Sequence, residues 1–176
     1  MKLAFICGSG YGRSDSLIIT RKLRLLADDN ESEVFVFIRG SEGNDKYREI
    51  AKNGAHKVFV CDTGLNSFIE MCRLWIIRND IHMMAFQDTE EGRKMASVLA
   101  MMLDGGLTAD CINIEYDKKD GFQFFRAALS DSIVAKIKCI NTDYQLCTIK
   151  QNSFQIKKEL SLSLIHISEP TRLALI

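Results

Sequence analysis

Short apolar runs alternate with amphipathic segments along the first 116 residues of the chain. Five of these runs have the length and the bulky apolar composition of buried strands. The predicted strands are 2–7, 34–38, 57–61, 81–86 and 111–115. Strands that are apolar on both sides are typical of a parallel sheet covered on both faces.

The segments between these runs have the spacing of amphipathic helices. The predicted helices are 14–28, 45–51, 66–78 and 89–104. Ser14 is expected to be the N-cap of the first helix. In the last helix, apolar side chains recur at positions i, i+3, i+4, i+7 and i+8 from Met95. Strand and helix thus alternate four times, which predicts right-handed crossovers and a doubly wound, mostly parallel α/β sheet.

The pattern changes after Tyr116. Turns and apolar runs predict three further strands, at 122–129, 133–139 and 144–150. A helix over 130–138 is the alternative to the second of these, but alternation with a period of two in 133–139 favours the strand. We expect these strands to form a small C-terminal antiparallel β meander. The expected domain covers residues 1–160, with the wound α/β part in 1–116 and antiparallel strands in 117–154.

Composition narrows the class of protein. The chain has 176 residues, a length typical of one domain, and its 23 basic side chains balance 23 acidic ones. This balance argues against nucleic-acid binding, and no apolar run approaches the ~18 residues of a membrane span. The six cysteines contain no C-x-x-C pair and lie mostly in apolar runs, which favours reduced thiols in a cytoplasmic protein.

The last residues differ from the rest of the chain. The only proline, Pro170, lies in the segment 162–172, which looks like the translation of a transposase-type sequencing adapter. We therefore expect residues 161–176 to be non-native and the natural protein to continue beyond them, and we leave this tail out of the fold prediction.

A glycine-rich turn between the first strand and the first helix is the candidate for anion binding. Gly8, Gly10, Gly12 and Ser14 lie where α/β sheets often hold phosphates on backbone amides at a helix N-terminus. However, the spacing is not that of the dinucleotide fingerprint G-x-G-x-x-G, and no Walker lysine follows. A flexible strand-to-helix turn is the favoured interpretation, and a phosphate loop is the alternative.

The sequence offers no other site for chemistry. His56 and His82 lie far apart at strand starts, without metal-ligand spacing, although pairing of one of them with a cysteine nucleophile stays open. The acidic residues near position 90 are explained by the helix dipole. We therefore predict no catalytic residue and no metal site.

Several segments resemble the N-terminal domain of the electron transfer flavoprotein alpha subunit. The similarity is greatest in 105–111 (GGLTADC) and in 91–96 (EGRKMA). The segments 54–62, 125–128, 132–137 and 147–150 follow in the family's order and with similar spacing. Departures include Ala127 and Gln151 where the family has prolines, Lys94 where an acidic residue is common, and 130–131 where a Gly-Gly-like pair is usual.

The resemblance implies a fold similar to adenine-nucleotide hydrolases and a role as scaffold and contact domain for the beta subunit of a heterodimer. FAD would be held by a C-terminal domain that this chain lacks. The family carries electrons from flavin dehydrogenases, such as acyl-CoA dehydrogenases, to a membrane or other acceptor. The cofactor does the electron chemistry, so no enzyme active site is expected here. The alternative is a stand-alone nucleotide-binding or ATP-using enzyme of the same fold that uses the loop from Gly8 to Ser16.

Overall fold

The computed structural model describes residues 2–9, 13–40, 44–128 and 133–154, without the side chains of 13, 14 and 44–46. The tail predicted at 161–176 lies outside these residues. The elements in chain order are β1 Lys2–Cys7, α1 Arg13–Asp28, β2 Glu33–Arg39, α2 Asn44–Lys52, β3 Lys57–Cys61, α3 Leu65–Asn79, β4 Met83–Gln87, α4 Glu90–Leu103, β5 Gly106–Asp117, β6 Gly121–Ala128, β7 Ile133–Ile137 and β8 Gln145–Ile149.

Within the described residues, all strands join one eight-stranded sheet in the order β3-β2-β1-β4-β8-β5-β6-β7. Pairing is parallel from β3 across to β5, and antiparallel from β5 through β6 to β7. The prediction of an α/β, mostly parallel sheet with antiparallel strands near its C-terminal end is therefore confirmed.

Helices cover both faces of the parallel strands. Ile19 and Leu23 of α1 pack with Ile50 of α2 on one face, in a core that also contains Phe5 of β1. Residues of α3 and α4 pack on the other face, in a core that contains Phe86 of β4. The helices that follow β1 and β4 thus lie on opposite faces, which makes the boundary between these two strands the topological switch point.

The position of β8 corrects the predicted meander. The strand was expected beside the antiparallel strands, but it inserts between β4 and β5 and is parallel to both. Its residues from Leu146 to Ile149 are all buried, as in a strand with a neighbour on each side and cover on each face. Among the described strands, antiparallel pairing is limited to β5, β6 and β7, so the segment 117–154 is not wholly antiparallel.

The helix boundaries differ from prediction by at most one residue at each end. Helix α1 begins at Arg13, so Ser14 lies inside its first turn rather than at the cap. Thr89 is the N-cap of α4, and its side chain accepts a hydrogen bond from the N–H of Gly92. None of the helices in the described ranges is both long and apolar enough to cross a membrane.

Candidate functional site at the carboxyl edge of the sheet

The carboxyl edge of the parallel strands at the switch point is where doubly wound sheets bind ligands. Ser9 follows the end of β1 at this edge, and Arg39 is the last residue of β2. The N-terminus of α4, with Glu91 in its first turn, faces both of them. These three residues form the candidate site.

Glu91 is the centre of this cluster. Its Oε1 accepts a hydrogen bond from Arg39 Nε at 2.6 Å and one from the Ser9 N–H at 3.3 Å. Its Oε2 accepts from Ser9 Oγ at 2.8 Å. The guanidinium of Arg39 also donates to Ser9 Oγ and to the carbonyl of Thr63. The cluster therefore joins the ends of β1, β2 and β3 to the start of α4.

The ion pair between Arg39 and Glu91 is largely shielded from water, with side chains that are 21% and 19% exposed. Burial raises the pKa of Glu91, but the hydrogen bonds from Arg39 and Ser9 and the charge of Arg39 together lower that pKa below its ordinary value. The hydrogen bond to Glu91 raises the pKa of Arg39. Both groups are therefore charged at neutral pH.

Gly8 gives the carboxylate of Glu91 its space. A Cβ atom at position 8 would lie 2.6 Å from Cδ of Glu91 and within 2.9 Å of both of its carboxylate oxygens. These distances are shorter than real Cβ contacts, so any larger residue at position 8 would push the Glu91 side chain away. A glycine here is explained by this close approach.

Further contacts close the edge beside this cluster. Gln87 Nε2, at the end of β4, donates to Asp15 Oδ2 of α1 at 3.4 Å. Arg93 in α4 donates to Asp88 at 2.7 Å. A crevice lined by α1, Gln87 and residues 149–154 has a volume of about 10 Å³, which is close to the space that one water molecule needs. Helix α1, β4 and β8 are therefore in close contact here.

The structure locates only part of the predicted phosphate loop. Gly8 lies at the end of β1, whereas Gly10 and Gly12 are outside the described residues. Ser14 lies in the first turn of α1, and its side chain is outside the description. The phosphate loop therefore stays a prediction.

His56 and His82 lie at the opposite, amino edge of the sheet, beside the starts of strands. Nδ1 of His56 accepts a hydrogen bond from the Val34 N–H at 2.9 Å, at the start of β2. Nδ1 of His82 lies 3.0 Å from the carbonyl of Asp143, and its Nε2 lies 3.1 Å from Asp80 Oδ1. These contacts give both rings a structural role.

The cysteines are free thiols, and four of the six are buried. Burial raises the pKa of Cys7, Cys72 and Cys147, and the neighbouring Cys111 raises that of Cys147 further. A thiol with a raised pKa is a poor nucleophile at neutral pH. The described residues also contain no group of three His, Cys, Asp or Glu side chains placed to hold a metal ion.

The GGLTADC segment shapes the start of β5. The register between β5 and β8 shifts between Thr108 and Cys111, and Asp110 adopts a left-handed backbone with φ 56°. The N–H of Asp110 then donates to Thr148 Oγ1 at 3.0 Å. The motif therefore forms a bulge that is held by a side chain of β8.

Sequence reasoning missed the Arg39–Glu91 pair. The helix dipole alone does not explain Glu91, because its carboxylate binds a strand end 52 residues away in the chain. The sequence did contain a signal for this pair, because Arg39 directly follows the apolar run 34–38. In such folds the ends of the strands and the starts of the helices meet at the carboxyl edge of the sheet, where an acidic residue can pair with the arginine.

We expect Glu91→Gln to lower the free energy of unfolding by about 1–2 kcal/mol at neutral pH, because charge-assisted hydrogen bonds are lost. The lowered pKa of Glu91 in the folded state means that its contribution is complete above the ordinary carboxyl range near ~4.3. It disappears as the pH falls through the folded-state value.

Urea unfolding at neutral and strongly acid pH measures this effect. The stability difference between the wild type and Glu91→Gln should shrink towards acid pH. Glu90→Gln, at the exposed neighbouring position, is the control and should match the wild type. A difference for Glu91→Gln that stays constant with pH would contradict the assignment.

Comparisons with known proteins give a consistent result. The family model "Electron transfer flavoprotein domain" matches residues 76–163, half of the chain. The electron transfer flavoprotein subunit alpha of Megasphaera elsdenii is 29% identical over 154 residues, which cover 83% of this chain and 45% of that protein. Lactate dehydrogenase (NAD(+),ferredoxin) subunit LctC of Acetobacterium woodii is 28% identical over 139 residues, 76% of this chain and 33% of that protein. The chain therefore spans less than half the length of either relative.

Proposed function

Because the chain belongs to the electron transfer flavoprotein family, we propose that it is the N-terminal scaffold and subunit-contact domain of an alpha subunit. The proposal rests on the family match over residues 76–163, which begins within α3 and includes β8. The similarity to the alpha subunit of Megasphaera elsdenii supports it. Proteins of this family are electron carriers. The intact protein would work in the cytoplasm and carry electrons from a flavin dehydrogenase, such as an acyl-CoA dehydrogenase, to a membrane or other acceptor.

FAD would be held by a part of the alpha subunit outside this chain, since the chain spans 45% of the related alpha subunit. The chain would then serve as a scaffold for the rest of the alpha subunit and as a contact domain for the beta subunit. Titration of the chain with FAD, followed by flavin fluorescence, tests this assignment. We expect no saturable binding to the chain alone, whereas tight stoichiometric binding would contradict it.

The outer edge of the antiparallel strands is the surface that we assign to the beta subunit. Strand β7 pairs only with β6 among the described strands, which leaves its other edge unpaired. Ile133 and Val134 on β7 are 51% and 55% exposed, and Ile140 after it is 71% exposed. Apolar side chains beside an unpaired strand edge are typical of an interaction surface.

We expect Val134→Lys to weaken binding of an electron transfer flavoprotein beta subunit by about tenfold or more, because it places a charge in an apolar contact. The control is Val60→Lys in β3, at the other edge of the sheet, where the valine is 39% exposed. Both variants should fold like the wild type, since both side chains are exposed. Titration calorimetry with the beta subunit from the same genome measures the affinities, and equal losses in both variants would count against the assigned surface.

A further inference from the structure

We propose that Glu91 acts as an internal anion: its carboxylate occupies an anion-binding position built by Ser9 and Arg39, and its removal opens a site for phosphate. The inference concerns the cluster of Ser9, Arg39 and Glu91, which the proposed electron-transfer role does not use. It makes Glu91 the residue that determines whether this edge of the sheet accepts an anion.

The donor set is the first argument. Three hydrogen-bond donors converge on one carboxylate, namely the Ser9 N–H, the Ser9 hydroxyl and Nε of Arg39. The hydroxyl of Ser9 accepts from Arg39 and donates to Glu91, so its orientation is defined. A backbone amide, a hydroxyl and a guanidinium are donors that proteins use for phosphate oxygens.

The available space is the second argument. The carboxylate of Glu91 lies against Gly8, where a Cβ atom would come within 2.6 Å of it. A glycine that lets an anion approach the backbone at the end of the first strand is the arrangement found in phosphate-binding turns. In this chain the anion that approaches is the protein's own side chain.

The position and rigidity of the pair are the third argument. The cluster lies at the end of β1, beside the switch point between β1 and β4. Arg39 is held additionally by the carbonyl of Thr63 at 3.3 Å, and both charged side chains are about four-fifths buried. Without Glu91, Arg39 would remain a largely buried cation next to a vacant backbone donor, which is an unfavourable arrangement unless another anion enters.

The test compares three variants of the chain by thermal unfolding in increasing concentrations of inorganic phosphate, at constant ionic strength. A ligand that binds only the folded state raises the unfolding temperature as its concentration rises. Glu91→Ala removes the carboxylate and vacates its volume, and should bind phosphate about tenfold or more tightly than the wild type. Glu91→Gln removes the charge but fills the same volume, and should bind little more than the wild type. Glu90→Ala, at the exposed neighbouring position, should behave like the wild type.

The double variant Arg39→Ala/Glu91→Ala should lose the phosphate effect, because the guanidinium is removed as well. If Glu91→Ala does not fold, Glu91→Ser provides the same vacancy with a polar side chain. Phosphate stabilisation of the wild type as large as that of Glu91→Ala, or a folded Glu91→Ala or Glu91→Ser that is stabilised no more than the wild type, would overturn the inference. A second experiment uses AMP in place of phosphate. Saturable AMP binding to the wild type that Glu91→Ala does not strengthen would also overturn the inference, because Glu91 would then not exclude an anion from this edge.

Discussion

Replacing Gly92 by alanine is expected to lower the free energy of unfolding by about 3 kcal/mol. Gly92 lies in the first turn of α4, and a Cβ atom there would overlap the carbonyl oxygen of Gln87 at the end of β4. The clash is with backbone, so no side-chain rotation can relieve it. The carbonyl of Gln87 also accepts the N–H of Thr89, and the N–H of Gly92 donates to the Thr89 hydroxyl. The added methyl would therefore separate the helix start from the strand and break the cap.

Gly64→Ala is the matched control, because Gly64 is the N-cap of α3 and a Cβ atom there would have no neighbour within 4 Å. The alanine at position 64 should change stability by less than ~1 kcal/mol. Chemical denaturation with circular dichroism measures both variants. Equal stability of Gly92→Ala and the wild type would show that α4 does not pack this closely on β4.

Replacing Phe124 by alanine is expected to lower the free energy of unfolding by about 3–5 kcal/mol. Phe124 in β6 is fully buried and belongs to the same apolar core as Leu3 and Phe5 of β1. Its neighbours across the sheet are Ile114 and Ile137, and its ring stacks on that of Phe122. Because one core joins the antiparallel strands to the parallel ones, the loss should affect the whole chain in one cooperative transition.

Phe125→Ala is the control for this prediction. Phe125 is the next residue in β6 and points to the other face, where its cross-strand neighbours are the polar Asn113 and Lys136. It is only partly buried, so its loss should cost about half as much or less. Two separate unfolding transitions in Phe124→Ala, one for the antiparallel strands alone, would contradict a shared core.

Local pattern was sufficient to predict most of the fold. The elements from β1 to α4 lie within two residues of their predicted bounds, because short apolar runs and amphipathic segments alternate clearly there. The partner of β8 was not predictable in the same way, since parallel pairing joins residues such as Met84 and Leu146 that are far apart in the chain. Strand β8 is buried on both faces, which distinguishes it from the strands of the antiparallel part.

The candidate site was less accessible to sequence reasoning. The glycine turn drew attention to Gly8, but the group that lies against it is Glu91, which comes from another crossover unit. Only the strand order brings the ends of β1 and β2 to the start of α4. The resemblance to the electron transfer flavoprotein alpha subunit, in contrast, rests mostly on motifs within residues 76–163, which the family model matches, and it is confirmed.

We propose that the chain is one part of a heterodimeric electron carrier whose flavin is held outside this chain. Co-expression with the electron transfer flavoprotein beta subunit from the same genome, followed by analytical ultracentrifugation, tests this most directly. We predict a stable complex of one chain with one beta subunit, formed through the β7 edge. A chain that stays separate from the beta subunit at micromolar concentrations while both are folded would contradict the assignment.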